Sequence, residues 1–175
     1  AAAADEEVVV ITISSKLSGT YQSAMIAAAG CSSVYVVDSE NASVGCGILV
    51  GLALRYLRDG MTASAIAEKL QEDKKKIVVI ALLDTLEYLK RGGRISKAAA
   101  FAGGLLNIKP VISIADGEIQ LLGKARGSKM GNNLLAQQIQ KVGGIDFTKP
   151  VLLGYTGLSD VLFQKYTEDS SYLWS

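Results

Sequence analysis

Histidine is absent from all 175 residues of this sequence. Its absence excludes Ser-His and Cys-His catalysis, and imidazole-based metal sites, within the chain. Cysteine is scarce: Cys31 and Cys46 stand far apart, without metal-ligand spacing. Small apolar residues flank each, so buried free thiols in a reducing compartment are expected. An excess of one charge sign is also missing, because the net charge is +1. Nucleic-acid and membrane-surface proteins usually concentrate a basic face, and near-neutrality argues against both. The basic run Lys74-Lys75-Lys76 precedes an apolar stretch and reads as a solvated turn. No segment approaches the ~18 uninterrupted apolar residues of a membrane helix. The opening Ala1–Glu7 is small and then acidic, unlike a signal peptide, so a cytoplasmic location is expected.

What is present is core-forming material. Hydrophobic residues make up 49% of the chain, enough for a sizeable core and too many for a disordered one. The length suits one large domain or two small lobes around a cleft. β-Branched Val8–Ile13 reads as a strand, then Ser14–Thr20 (SSKLSGT) as a polar loop and Tyr21–Ala29 as a small-residue helix. Val34–Val37 is the next strand; Val44–Arg58 and Thr62 to about Glu72 are helices. Strands that are apolar throughout and alternate with helices imply a parallel sheet covered on both faces. The pattern changes after the lysine run. Ile77–Leu82 is a strand, Thr85–Lys90 begins a helix stopped by Gly92-Gly93, and Ser96 to about Leu106 is a further helix. Pro110–Ala115 and Glu118–Leu122 flank Asp116-Gly117, a strong hairpin signal. Ser128–Val142 follows as a helix and Val151–Tyr155 as a strand. The expected fold is α/β with two lobes: residues 1–74 form a parallel α/β lobe and 75–175 a mixed or antiparallel one.

The order strand, SSKLSGT, helix carries the chemistry. Ligands of parallel α/β sheets bind at the C-terminal strand edge, where a helix start presents unpaired N–H groups and the positive end of its dipole. Ser18 and Thr20 add hydroxyls, Ser15 lines the same loop, and Gly19 lets the backbone approach closely. Such a loop suits a carboxylate or a phosphate; the plainer role is an N-cap for the following helix. Neither a GxxxxGK[ST] loop nor a GxGxxG fingerprint is present here. A nucleophilic serine would need a base, with adjacent Lys16 the candidate, and SSKLSGT departs from the GxSxG elbow. A hydrolase or phosphotransferase using the SGT serine is therefore the alternative. Ala98, Ala99, Ala100, Ala102, Gly103 and Gly104 allow either close helix packing or a slot for an apolar chain. Lys124, Arg126 and Lys129 form a basic cluster after the hairpin, suited to a surface patch or an anion contact.

ISSKLSGTYQSA, VVDSENASVG, LDTLEYLKRGGRISKAAAF, LLNIKP and KARG occur in the order and spacing of motifs of the DegV family, which the sequence resembles along nearly its whole length. The resemblance implies two α/β lobes with a ligand cleft between them. It implies a long-chain fatty acid as ligand, with no other cofactor and no metal. The carboxylate would be held by Ser18 with Ser15, Gly19 and Thr20, and the tail would enter the second lobe. Arg126 matches the arginine of the KxRG motif near the cleft mouth, whereas Met130 replaces an expected basic residue. A non-enzymatic carrier presenting the acid to a separate fatty-acid kinase is implied. The family's leading Asp-Ser-Thr motif, its Thr-Ser pair and its His-Thr-Gly-Pro-Gly-like segment have no counterpart here, so the chain is expected to be incomplete at both ends.

Overall fold

The structure is a computed structural model that describes residues 6–95 and 107–174. Its chain divides into two compact units, Ala1–Val79 with Ile114–Glu118, and Ile80–Ser113 with Ile119–Ser175. The first unit opens with β1 (Val8–Thr12), α1 (Thr20–Ala28), β2 (Val34–Asp38), α2 (Val44–Arg58) and α3 (Ala63–Asp73). β1 and β2 pair in parallel with register Val8↔Val34 to Thr12↔Asp38. The intervening helix makes that pairing possible, since parallel neighbours need a long crossover. α3 begins where Thr62 accepts a hydrogen bond from the Ala65 N–H at 3.3 Å, satisfying one orphan donor of the first turn. Ile66 and Leu70, one helical turn apart, then point inward and meet Val37 and Leu49. Val9, Ile11, Leu52 and Ile77 pack around this core. Gly45 on α2 lets the helix lie close to the preceding turn, because a Cβ there would stand 2.5 Å from the Asn41 side-chain oxygen.

The end of α3 carries a small polar lock. Tyr56 donates its hydroxyl hydrogen bond to Asp73, whose other oxygen accepts from Lys76 at 2.8 Å. Burial, then the bond to Asp73, pushes the Tyr56 phenol up to about 12. Burial also pushes the Asp73 carboxyl up, but hydrogen bonds from Lys76 and Tyr56 outweigh it and leave the group below its ordinary value. A phenol whose folded pKa is raised stabilises the fold fully below its ordinary pKa of 10.0 and loses that contribution as pH rises through about 12. Urea midpoints should therefore fall over that alkaline window, and Tyr56→Phe should remove this part of the fall.

The second unit is built on a three-stranded sheet ordered β3 (Val79–Leu82), β4 (Ile108–Ala115), β5 (Glu118–Arg126), with α4 (Glu87–Arg91), α5 (Gly127–Lys141) and α6 (Val161–Asp169). β4 and β5 form the expected antiparallel hairpin. Asp116 and Gly117, at φ 50° and 78°, make the two-residue turn in which both central residues are left-handed. Leu86, Ile95 and Ile112 form this unit's core, with Leu83, Leu89 and Leu121 against it. α5 lies close on the strands, since a Cβ on Gly131 would come within 2.9 Å of Leu82.

The α/β class holds, with one parallel and one antiparallel sheet. Three local expectations are corrected, and a fourth lies outside the described residues. Val151–Tyr155 is not a strand: among the described residues no strand pairs with it, and its side chains are exposed. α6 forms instead further on, where Asp160 accepts from the Gln164 amide at 2.7 Å and Phe163 stacks on Tyr155 at 5.2 Å. Cys31 is free but exposed, because it sits in the turn after α1 and not in the core. The lysine run is a short 3-10 turn, and Lys74 is only 7% exposed. The expected helix Ser96–Leu106, with its small-residue slot, lies outside the described residues.

Candidate functional site

The loop joining β1 to α1 is organised by Ser14, a residue the sequence reading passed over. Ser14 is fully buried, and every polar group it has is used. Its N–H donates to the Asn41 carbonyl at 2.8 Å, and its carbonyl accepts from the Leu17 and Ser18 N–H groups at 3.0 and 3.1 Å. Its hydroxyl donates to the Gly117 carbonyl at 2.7 Å and accepts from the Lys16 N–H at 3.2 Å. The hairpin turn Asp116-Gly117 is thus one wall of the loop's seat. Gly117 is required there, since a Cβ would stand 2.6 Å from the Ser14 hydroxyl and the backbone is already left-handed. The available signal was a serine in a polar loop directly after a strand. What it contacts lies about a hundred residues on in the chain and cannot be read from spacing.

Ser15 is exposed, and its backbone N–H donates to the Asp38 carboxylate at 3.1 Å. Asp38 also takes the Glu40 N–H at 3.0 Å, closing a turn in which Glu40 adopts φ 50°. Burial pushes the Asp38 carboxyl up. Hydrogen bonds from the Ser15 hydroxyl and the Glu40 and Ser15 backbones, with the nearby Lys74 cation, outweigh burial and hold it below its ordinary value. The Asp38 carboxylate is therefore a charged fixture beneath the loop.

Ser18 is half-buried and Thr20 exposed at the start of α1. The Ser18 hydroxyl accepts the Thr20 N–H at 3.2 Å, which closes a turn ahead of the helix; the expected N-cap role is corrected, because Gly19 is the N-cap of α1 and no side chain caps it. The Ser18 hydroxyl also shares a hydrogen bond with the Thr20 hydroxyl at 2.8 Å. Two hydroxyls sharing one bond leave a second hydroxyl proton for an outside acceptor, so holding this turn and binding a ligand are compatible in one residue. Gly19 is exposed at φ −71°, which any residue adopts, and no described atom lies within 4 Å of where its Cβ would stand. Neither the backbone nor the described neighbours call for glycine at this point. Ser15, Ser18, Gly19 and Thr20 are thus gathered in one turn of the first unit. Arg126 belongs to the second unit, exposed at the end of β5 and immediately before α5, with Lys124 and Lys129 also exposed nearby in sequence.

The residues and elements described have known counterparts. The DegV family model matches residues 1–170. A DegV domain-containing protein of Caldanaerobacter subterraneus is 37% identical over 144 residues, covering 81% of this chain and 51% of that protein. The crystal structure of a DegV lipid-binding protein from Thermotoga maritima superposes with a TM-score of 0.70 at 35% identity, over 78% of this chain and 48% of that one. A Thermus thermophilus DegV family protein, described for its fatty acid binding, gives 0.69 at 38% identity, over 78% and 49%. These define a class of α/β proteins that includes lipid binders. The chain belongs to the DegV family. It spans about half the length of the relatives it matches.

Proposed function

We propose that this chain binds a long-chain fatty acid, with its carboxylate on the Ser/Gly/Thr loop and its tail buried. The carboxylate rests on Ser18, Gly19 and Thr20, with Ser15 beside them and Arg126 as an additional anion contact. Residues 1–74 supply the head-group loop, and residues 75–175 house the acyl tail. The observation that carries the reading is the outward-facing Ser18–Thr20 hydroxyl pair at a helix start, set on a loop fully pinned from beneath. A helix N-terminus with fixed donors favours an anion. The Thermotoga maritima and Thermus thermophilus relatives, described as lipid-binding and fatty-acid-binding, lend the chemical class of ligand.

The protein acts here as a carrier that presents the acyl carboxylate to a separate fatty-acid kinase, and not as an enzyme. A serine nucleophile needs a base within hydrogen-bond reach. The side-chain hydroxyl of Ser18 bonds only to Thr20 among the described residues, and Lys16 is directed to Glu118 at 3.9 Å. Simple p-nitrophenyl esters should accordingly not be turned over. Replacing Ser18 with alanine removes one hydrogen bond to a charged group, expected to weaken fatty-acid binding by about 1.5–3 kcal/mol. The methyl ester of the same acid should be affected far less. Titration of acid and ester against both proteins tests this, and equal affinities of the variant and the unsubstituted protein for the acid would count against the loop assignment.

A further inference from the structure

Lys74 is the unexpected residue of the first unit, a lysine read as solvated that is 7% exposed and has two partners. Its ammonium donates to the Asp38 carbonyl at 3.0 Å and pairs with the Glu40 carboxylate at 2.8 Å. Lysine is rarely buried this far unless paired, because desolvating the ammonium is costly. Asp38 ends β2 and Glu40 lies in the turn that follows it. That turn in turn supports the head-group loop, through the Ser15 N–H on the Asp38 carboxylate and the Ser14 N–H on the Asn41 carbonyl. Asp38 and Glu40 bring two carboxylates under a loop read as an anion site. Lys74 is the cation that contacts both residues.

We infer that Lys74 is a positioning residue for the anionic head group: it locks the Asp38–Glu40 turn under the Ser14–Thr20 loop and offsets the negative charge of that turn. The inference rests on the fatty-acid reading for its ligand, but the lock itself does not. Lys74 is buried and engaged with Asp38 and Glu40, so its effect is transmitted through Asp38 and the loop. Removing the ammonium leaves two carboxylates without their cation beneath the loop and frees the turn that seats Ser15. Both consequences oppose an anion and are largely indifferent to an uncharged lipid of the same length. The lowered Asp38 pKa, to which Lys74 contributes, agrees with a carboxylate kept ionised in this place.

The test is Lys74→Met in the intact protein, with Lys74→Arg as rescue. Binding of oleate and of methyl oleate is measured by displacement of a fluorescent fatty acid. Lys74→Met should weaken oleate binding about tenfold, the scale of a single charge acting from about 12 Å at an effective dielectric near 20. Methyl oleate should change less than about twofold, and Lys74→Arg should restore most of the oleate affinity. Equal weakening of acid and ester would mark a merely structural lysine and overturn the inference, as would no change in either. Should Lys74→Met fail to fold, Glu40→Gln replaces it; this variant frees Lys74 from its pair and should strengthen oleate over methyl oleate, and an unchanged ratio overturns the charge argument. A second arm is independent of lipid: the Ser15 amide should exchange with solvent faster in Lys74→Met than in the unsubstituted protein, and equal rates would overturn the lock. If the unsubstituted protein binds neither lipid, the fatty-acid reading fails, while the exchange arm still decides on the lock.

Discussion

Shortening the bound acid by about six methylenes should weaken binding by about 5 kcal/mol, a loss of three orders of magnitude or more. The figure follows from about 0.8 kcal/mol for each methylene removed from water. A carboxylate at a helix N-terminus gains about 0.3–2 kcal/mol, so the tail supplies affinity and the Ser18–Thr20 turn supplies orientation. A tail of about fifteen methylenes would give roughly 12 kcal/mol gross, from which ordering and association subtract a large part. Calorimetry across a series of saturated acids measures the slope directly. A slope near zero, with affinity unchanged from short to long acids, would remove the buried tail and leave a small-anion site.

Leu70→Ala should destabilise the first unit by about 2–5 kcal/mol, seen as a fall in the urea midpoint at unchanged slope. Leu70 is fully buried and meets Val37, Leu49 and Ile66, so truncation loses transfer energy and opens a cavity where three elements converge. The comparison within the same unit is Leu57→Ala. That side chain is 60% exposed on α2, and its loss should stay within about 0.5 kcal/mol. Similar midpoints for the two variants would mean that the α2–α3–β2 core is not where the stability of this unit resides.

The elements that were legible in the sequence are those with local causes. The run of β-branched residues at Val8, the Thr62 cap and the Asp116-Gly117 turn each act within a few residues, and each lies where it was expected. The SSKLSGT loop was found for the same reason, since a strand, a polar turn and a helix follow one another directly. Ser14, Asp38 and Lys74 were missed as its supports because their partners are supplied by distant segments: Gly117 for Ser14, and the turn at Asp38–Glu40 for Lys74. A lysine run has the same composition whether solvated or buried, and only the arriving acidic turn decides which lysine is drawn in. Val151–Tyr155 shows the converse failure. Its β-rich composition is real, but a strand exists only when a neighbour offers its backbone, and none of the described strands does.

The proposed binding requires one molecule anchored by a charged end and buried along an apolar length. Its most direct measurement is mass spectrometry of an organic extract from the purified intact protein. The expected result is a long-chain fatty acid at close to one molecule per chain, with a reduced amount from Ser18→Ala. An extract free of fatty acid, from protein that also takes up no added oleate, would contradict it.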